Sequence, residues 1–136
     1  MNKFLKEFKE RGFFYQCTNE NELSELLDKK KISAYIGFDC TAESLHVGSL
    51  LQIMCLRLLQ KHGHRPIVLL GGGTTRIGDP SGKDKTRKLL SEKEILKNSK
   101  NIKKILEKFL DKKNKKTKPI FVDNYCLLYT SDAADE

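Results

Sequence analysis

Two polar segments of this sequence contain residue types that bind phosphate groups. The first, DCTAESLHVGS, spans residues 39–49 and includes Thr41, His46 and Gly48. A hydroxyl and an imidazole can donate hydrogen bonds to phosphate oxygens, and a glycine lets a ligand lie against the backbone. The alternative is an ordinary helix start, in which Ser44 is the cap, His46 lies on the surface and Gly48 serves packing.

The second segment, GGGTTRIGDPSGK, spans residues 71–83 and is dense in glycine. Its final Gly-Lys pair suggests a P-loop, but that motif requires Gly at 77 and Ser or Thr at 84, where the chain has Ile77 and Asp84. We therefore exclude a P-loop. Asp79 can instead pair with a cationic group such as an amine, and the D-P-S-G sequence around it also favours a type I turn.

Both segments follow predicted β-strands. The runs SAYIGF (33–38) and PIVLL (66–70) are short and apolar, as in buried parallel strands, and the apolar positions between about 46 and 62 predict a helix packed on a sheet. Such a strand–helix–strand unit should have a right-handed crossover. Ligands of parallel sheets bind beyond the carboxyl ends of the strands, where both segments lie.

The remaining helices and the third strand are predicted from helix-capping residues and from the spacing of apolar residues. Helices are expected at 3–11, 20–30 and 91–111, the last two beginning with the capping boxes Asn19/Glu22 and Ser91/Glu94, and KPIFV (118–122) is expected to be a third strand. The predicted fold class is therefore α/β, a parallel sheet with flanking helices.

Composition limits the class of protein. At 136 residues, with 38% hydrophobic and 32% charged residues, the chain is at most one small globular domain or a piece of a larger one. No apolar run approaches the roughly 20 residues that span a bilayer. The four cysteines have no C-x-x-C spacing, which favours reduced thiols and a cytoplasmic location.

The net charge of +8 is unevenly distributed. Residues 83–118 contain 15 Lys/Arg and 5 Asp/Glu, a local balance of +10, so the rest of the chain sums to −2. Such a block can meet phosphates or nucleic acid. A solvated helix face is the alternative, and charge alone does not decide between them.

The two polar segments, taken with their strands, are similar to a known family. YIGFDCTAESLHVGSLL (35–51) and GHRPIVLLGGGTTRIGDPSGK (63–83) closely resemble the N-terminal catalytic region of bacterial tyrosyl-tRNA synthetases, which are class I aminoacyl-tRNA synthetases. Residues 46–49 take the place of the class's HIGH signature. The resemblance implies a Rossmann-type fold that activates L-tyrosine with ATP, accompanied by Mg²⁺, and transfers it to tRNA(Tyr). It also implies a homodimer at full length.

The resemblance also assigns roles to individual residues. Tyr35 would hydrogen-bond the substrate phenol, and Asp79 would hold the α-amino group with Thr74 close by. The catalytic set, which would stabilise the ATP phosphates and close over the leaving diphosphate, consists of Thr41, His46, Lys83 and Arg87. The residues expected to shape the ATP pocket are Gly37, Asp39, Thr41, His46, Gly48 and Ser49. No metal site formed by protein ligands is implied.

Two positions depart from the family pattern. Ser49 replaces the second His of the HIGH signature, which in relatives helps to hold the ribose; a hydroxyl can still form a hydrogen bond, so we expect tuning rather than loss. Ile36 stands where some members have a cysteine that contacts the ribose, and its side chain cannot make that bond.

The resemblance covers residues 1–125, which we expect to be the N-terminal part of the catalytic domain. The KMSKS loop, the rest of the tyrosine pocket, the dimer interface and the C-terminal tRNA-binding region are not in this sequence. We expect CLLYTSDAADE (126–136) to be a non-native tail translated from a sequencing adapter, the alternative being a divergent natural terminus. A fragment of this kind should be inactive alone and should expose apolar surface.

Two rival functions share some of these features. A non-catalytic RNA-binding module would use the basic block 83–118, and a small nucleotidyltransferase would share the fold and the HxGx signature. Neither needs the whole set that favours the synthetase: Tyr35, Thr41, His46, Thr74 and Asp79.

Overall fold

The computed structural model describes residues 2–41, 44–71 and 91–123. Four predicted site residues lie outside these ranges: Thr74, Asp79, Lys83 and Arg87. The tail predicted at 126–136 also lies outside them, and its assignment stays a prediction.

In the part of the chain that the structure describes, three parallel strands form the sheet, in the order β1-β2-β3. They are β1 (Ser33–Phe38), β2 (Arg65–Leu70) and β3 (Ile120–Asp123). All three were predicted, although β3 begins two residues later than expected. Thr117 and Lys118 donate their N–H groups to the Asn114 carbonyl at 3.2 and 2.8 Å, and residue 119 is a proline without an N–H, so pairing with β2 starts at Ile120.

Four helices of the described residues surround the sheet, and all four were predicted. They are α1 (Lys3–Glu10), α2 (Glu20–Lys29), α3 (Val47–Lys61) and α4 (Glu92–Phe109). The predicted caps are confirmed: Asn19 accepts a hydrogen bond from Glu22 N at 3.1 Å, and Ser91 accepts one from Glu94 N at 3.2 Å. Gly12 and Gly63, which follow α1 and α3, have φ angles of +76° and +85°, as glycines that end helices often do.

The core lies between one face of the sheet and helices α3 and α4. Alternate strand residues Phe38, Val68 and Leu70 point to this face, as the period of two requires. Helix α3 contributes Ile53 and Leu56, and helix α4 contributes residues at helical spacing, including Ile95, Ile102 and Leu106. The two helices therefore cover the same face of the sheet and contact each other.

The opposite face of the sheet is also apolar. It presents the alternate residues Tyr35, Ile67, Leu69, Ile120 and Val122. Tyr35 is 67% exposed and Ile120 is 39% exposed, whereas the core-facing Val68 is fully buried. Two side chains of this face are therefore exposed, and the expectation that the missing part of the domain would cover apolar surface stays a prediction.

Helix α1 packs on the C-terminal part of α3 through a charged and aromatic contact. Glu7 accepts hydrogen bonds from Lys61 at 2.7 Å, His62 at 2.8 Å and Arg11 at 2.8 Å. These three hydrogen bonds lower the pKa of Glu7 to about 2, and the bond from Lys61 has the largest effect.

His64, just before β2, is only 2% exposed. Its Nδ1 accepts a hydrogen bond from the Ile32 N–H at 3.1 Å, which joins the segments that lead into β1 and β2. Burial lowers the pKa of His64, and the nearby Lys31 lowers it further. Among the residues placed by the structure, no helix is both long and apolar enough to cross a membrane.

Candidate functional site

A cleft of about 410 Å³ opens where β1 ends and α3 begins. It lies at the carboxyl end of β1, which is where ligands of parallel sheets bind. Six of the sequence-predicted residues line it together: Gly37, Asp39, Thr41, His46, Gly48 and Ser49. The structure therefore assembles in one place every residue that was expected to shape an ATP pocket.

The N-terminus of α3 faces this cleft. His46 is the N-cap residue, with extended backbone (φ −83°, ψ 171°), and its carbonyl accepts a hydrogen bond from Ser49 N at 3.0 Å. No side chain of the described residues caps this helix end, in contrast to α1, α2 and α4. The first turn therefore presents N–H groups and partial positive charge to the cleft, which suits an anion such as phosphate.

The His46 side chain explains the glycine at position 48. A Cβ atom built on Gly48 would lie 2.9 Å from both Cε1 and Nδ1 of the imidazole. The ring therefore occupies the space beside the Gly48 backbone, and any larger residue would displace it. Gly37 differs, because a Cβ there would meet only the Leu69 carbonyl oxygen, at 3.9 Å.

The two departures from the family pattern have different surroundings. Ser49 is 6% exposed and lines the cleft, so it belongs to the cleft wall rather than to the solvent-exposed surface. Ile36 packs against the hydrophobic core and does not line the cleft. Its apolar side chain is thus explained by packing.

Helix α4 holds the segment that leads from β1 into the cleft. Asn98 donates from Nδ2 to the Cys40 carbonyl at 2.9 Å, and Ser99 donates from Oγ to Cys40 Sγ at 3.1 Å. Cys40 is fully buried, while its neighbours Asp39 and Thr41 are exposed at the cleft. Burial raises the pKa of the Cys40 thiol, outweighing the hydrogen bond from Ser99, and so keeps the sulfur neutral.

The sequence analysis missed Asn98 and Ser99. A sequence signal for them exists. Both lie three or four residues from the buried Ile95 and from the buried Ile102, which places them on the apolar face of α4. A polar pair in the middle of an apolar helix face must find polar partners in the core. The partner here is the loop after β1.

Tyr35 lies apart from the cleft. Its side chain is 67% exposed, on the face of the sheet opposite to the one that α3 covers. Tyr35 and Gly37 are nevertheless on the same face of β1, two residues apart. A ligand lying along that face can reach both the phenol and the cleft.

The second polar segment starts beside the first. Phe38 and Leu70 are paired at the ends of β1 and β2, and the Gly71 N–H donates to the Phe38 carbonyl at 2.7 Å. The chain therefore leaves β2 at the same edge as the cleft. Thr74, Asp79, Lys83 and Arg87 follow beyond Gly71, outside the described residues, so their predicted roles stay predictions.

Comparison with known proteins agrees with this fold. The family model described as tRNA synthetases class I (W and Y) matches residues 27–134. A tyrosine–tRNA ligase from Pelagibacter ubique (strain HTCC1062) is 81% identical over 128 residues, which cover 94% of this chain and 31% of that protein. One from Rickettsia massiliae (strain Mtu5) is 55% identical over 122 residues, covering 90% of this chain and 30% of that protein.

A solved structure gives the same result for the fold. A C-terminally truncated mitochondrial tyrosyl-tRNA synthetase from Coccidioides posadasii superposes with a TM-score of 0.78 at 26% identity, covering 97% of this chain and 38% of that one. The chain thus spans less than a third of the length of the two ligases named above. The family model, the close relatives and the shared fold together show that this chain belongs to the class I tRNA synthetases of the tryptophan and tyrosine group.

Proposed function

We propose that this chain is the ATP-binding part of a tyrosine–tRNA ligase. The longer protein would activate L-tyrosine with ATP to tyrosyl-adenylate and diphosphate, and would then transfer tyrosine to the 3′ end of tRNA(Tyr). The observation that carries the proposal is the cleft at the uncapped N-terminus of α3, where His46, Thr41 and Gly48 meet. The 81% identity to the Pelagibacter ubique ligase supports the choice of tyrosine.

The chemistry of activation suits such a cleft. The tyrosine carboxylate attacks the α-phosphorus of ATP directly, so no protein nucleophile is required. Negative charge then moves toward the leaving diphosphate, and donors fixed in advance stabilise it. The imidazole of His46, the hydroxyl of Thr41 and the first N–H groups of α3 are the donors available here.

Residues outside the described ranges complete this proposal. Lys83 and Arg87 would close over the diphosphate, while Asp79 and Thr74 would hold the α-amino group of a tyrosine whose phenol meets Tyr35. No cluster of three or more potential metal ligands occurs in the described ranges. In this proposal Mg²⁺ accompanies ATP, as part of that substrate. We further propose a homodimer at full length and a cytoplasmic location, where tRNA is charged.

Tyrosine-dependent exchange of labelled diphosphate into ATP tests the proposal. The assay compares the 136-residue chain with an extended protein in which residues 1–125 are followed by the downstream sequence of the Pelagibacter ubique ligase. We expect exchange only in the extended protein, because the rest of the tyrosine pocket lies in the added part. Exchange in neither protein would refute the tyrosine-activating function, and exchange in the short chain would refute the need for the added part.

A variant pair locates the function in the cleft. In the extended protein, His46→Ala should lower the exchange rate by about 10²-fold, the usual effect of losing one fixed donor to developing charge. His62→Ala is the matched control, because His62 lies at the other end of α3 against Glu7. Equal effects of the two substitutions would contradict the proposed role of His46.

A further inference from the structure

A basic surface lies at the amino ends of the strands, opposite the cleft at the carboxyl end of β1. Residues 111–118, DKKNKKTK, join α4 to β3 and are called the lysine turn below. The turn contains five lysines and one acidic residue, and all five lysines are exposed. Within the described ranges, Lys112 is the one lysine of the turn that forms an ion pair, with Glu107 at 3.3 Å. The proposed synthetase chemistry makes no use of these charges.

The backbone of the lysine turn is held by a buried amide. Gln60, 6% exposed near the end of α3, donates from Nε2 to the carbonyls of Asp111 and Thr117, both at 2.9 Å. Its Oε1 accepts a hydrogen bond from the Asp111 N–H at 3.0 Å. Both amide hydrogens and the amide oxygen of this side chain are thus directed to the turn, 51 and 57 positions away in sequence.

Other contacts fix the same turn. The Arg65 guanidinium at the start of β2 donates to the carbonyls of Lys115 and Lys116, the latter at 3.2 Å. Within the turn, Asp111 Oδ1 accepts from Lys113 N and Asn114 Oδ1 accepts from Lys116 N, both at 2.9 Å. The backbone therefore has a defined shape, and the lysines extend from fixed positions.

A cleft of about 290 Å³ adjoins the lysine turn and continues the basic surface. Its walls include Asp111, Asn114 and Thr117 from the turn, and Arg57, Lys61 and Arg11 from the helices. Holding like charges together raises the free energy of the isolated protein, and a polyanion both removes that repulsion and releases its own counterions. A fixed backbone also reduces the entropy lost on binding.

We propose that the lysine turn and this adjoining cleft bind the sugar–phosphate backbone of RNA. The inference goes beyond tyrosine activation and rests on the proposed function only in the choice of RNA as the polyanion. The surface is distinct from the ATP cleft, because Arg65 and the lysine turn lie at the amino ends of the strands and the ATP cleft lies at the carboxyl end of β1.

Binding of a fluorescein-labelled tRNA(Tyr) transcript to the full 136-residue chain, measured by anisotropy over a range of salt, tests this. Replacing Lys113, Lys115 and Lys116 by Gln should weaken binding by at least about tenfold near 0.1 M salt and reduce the log–log salt slope by about three. The matched control replaces three exposed lysines of α4, Lys93, Lys100 and Lys104, by Gln. Equal losses in the two triple variants would overturn the proposal.

A second variant separates the shape of the turn from its charge. Gln60→Met retains every lysine but removes the three hydrogen bonds between Gln60 and the turn, so it should also weaken tRNA binding, while circular dichroism verifies that the protein is folded. Unchanged affinity in this variant would overturn an ordered site. Competition by inorganic polyphosphate as effective as that by unlabelled RNA, compared per phosphate, would overturn RNA as the ligand.

Tyrosine activation and RNA binding can be refuted separately. In the extended protein, the lysine-turn triple variant should retain diphosphate exchange, since the ATP cleft is at the other edge of the sheet. Loss of exchange in the unaltered extended protein would refute tyrosine activation and leave the tRNA-binding result standing.

Discussion

The hydrogen bond from Asn98 to the Cys40 carbonyl should determine how firmly the start of the proposed ATP cleft is held. Asn98 is 5% exposed, and its amide lies 2.9 Å from that carbonyl. Asn98→Leu keeps a similar side-chain volume and removes the donor. A hydrogen bond of this kind contributes about 1 kcal/mol net, so the segment should open locally about five times more often.

The buried thiol of Cys40 reports that opening. A thiol reagent attacks the thiolate, and both the complete burial of Cys40 and the raised pKa of its thiol prevent attack until the segment opens. The assay follows labelling of Cys40 after the other three cysteines are replaced by Ser: Cys17, Cys55 and Cys126. Asn98→Leu should then be labelled about five times faster than the parent, because its segment opens about five times more often.

Asn101→Leu is the matched control, because Asn101 is a half-exposed residue of the same helix. It should leave the labelling rate unchanged. The reasoning is refuted if Asn98→Leu labels no faster than the parent, or if the control is accelerated as much. Urea denaturation of each variant shows whether the faster labelling exceeds what a lower global free energy of unfolding would produce.

Three further changes give direct readouts. Gly48→Ala should displace the His46 ring and shift its Cε1–H NMR signal, whereas Gly37→Ala should leave that signal in place; a shift in neither would contradict the steric account. Because the pKa of His64 is lowered, its contribution to stability is complete above about pH 6.5 and is lost as the pH falls through the folded-state pKa. The melting temperature of the His64→Asn variant should therefore depend less steeply on pH in this range. Glu7, with its pKa lowered to about 2, contributes above about pH 4.5 and loses the contribution between there and pH 2, so a Glu7→Gln variant that melts with the same acid dependence would argue against its three basic partners.

The elements could be predicted from the sequence because their signals are local. Apolar runs of strand length gave β1 and β2, and cap residues such as Ser91 gave the helix starts within one residue. The start of β3 was less accurate, because the turn hydrogen bonds to Asn114 that delay it depend on tertiary structure. The position of the site followed from topology, since both polar segments come after parallel strands.

The side chains that support the loops could not be predicted in this way. Asn98 contacts a carbonyl 58 positions away, and Gln60 contacts carbonyls 51 and 57 positions away, so no local pattern records either pairing. In sequence, the spacing puts Asn98 on the apolar face of α4 but does not indicate its partner, and Gln60 appears as an ordinary polar position near a helix end. Their burial shows what each does: an amide in the core must be hydrogen-bonded, and each one holds a loop.

Asn98 and Gln60 hold loops at opposite ends of the strands. This arrangement predicts that their contributions to the free energy of unfolding are independent. Asn98 and the lysine turn are separated along α4 by about 20 Å at 1.5 Å per residue, and the contacts of Asn98 and Gln60 share no partner. The losses in unfolding free energy of Asn98→Leu and Gln60→Met should therefore add to within about 0.5 kcal/mol in the double variant, measured by urea denaturation. A coupling above about 1 kcal/mol would mean that the two edges form one cooperative unit. The ATP cleft and the lysine turn could then not change shape separately, and RNA bound at one edge would alter the other.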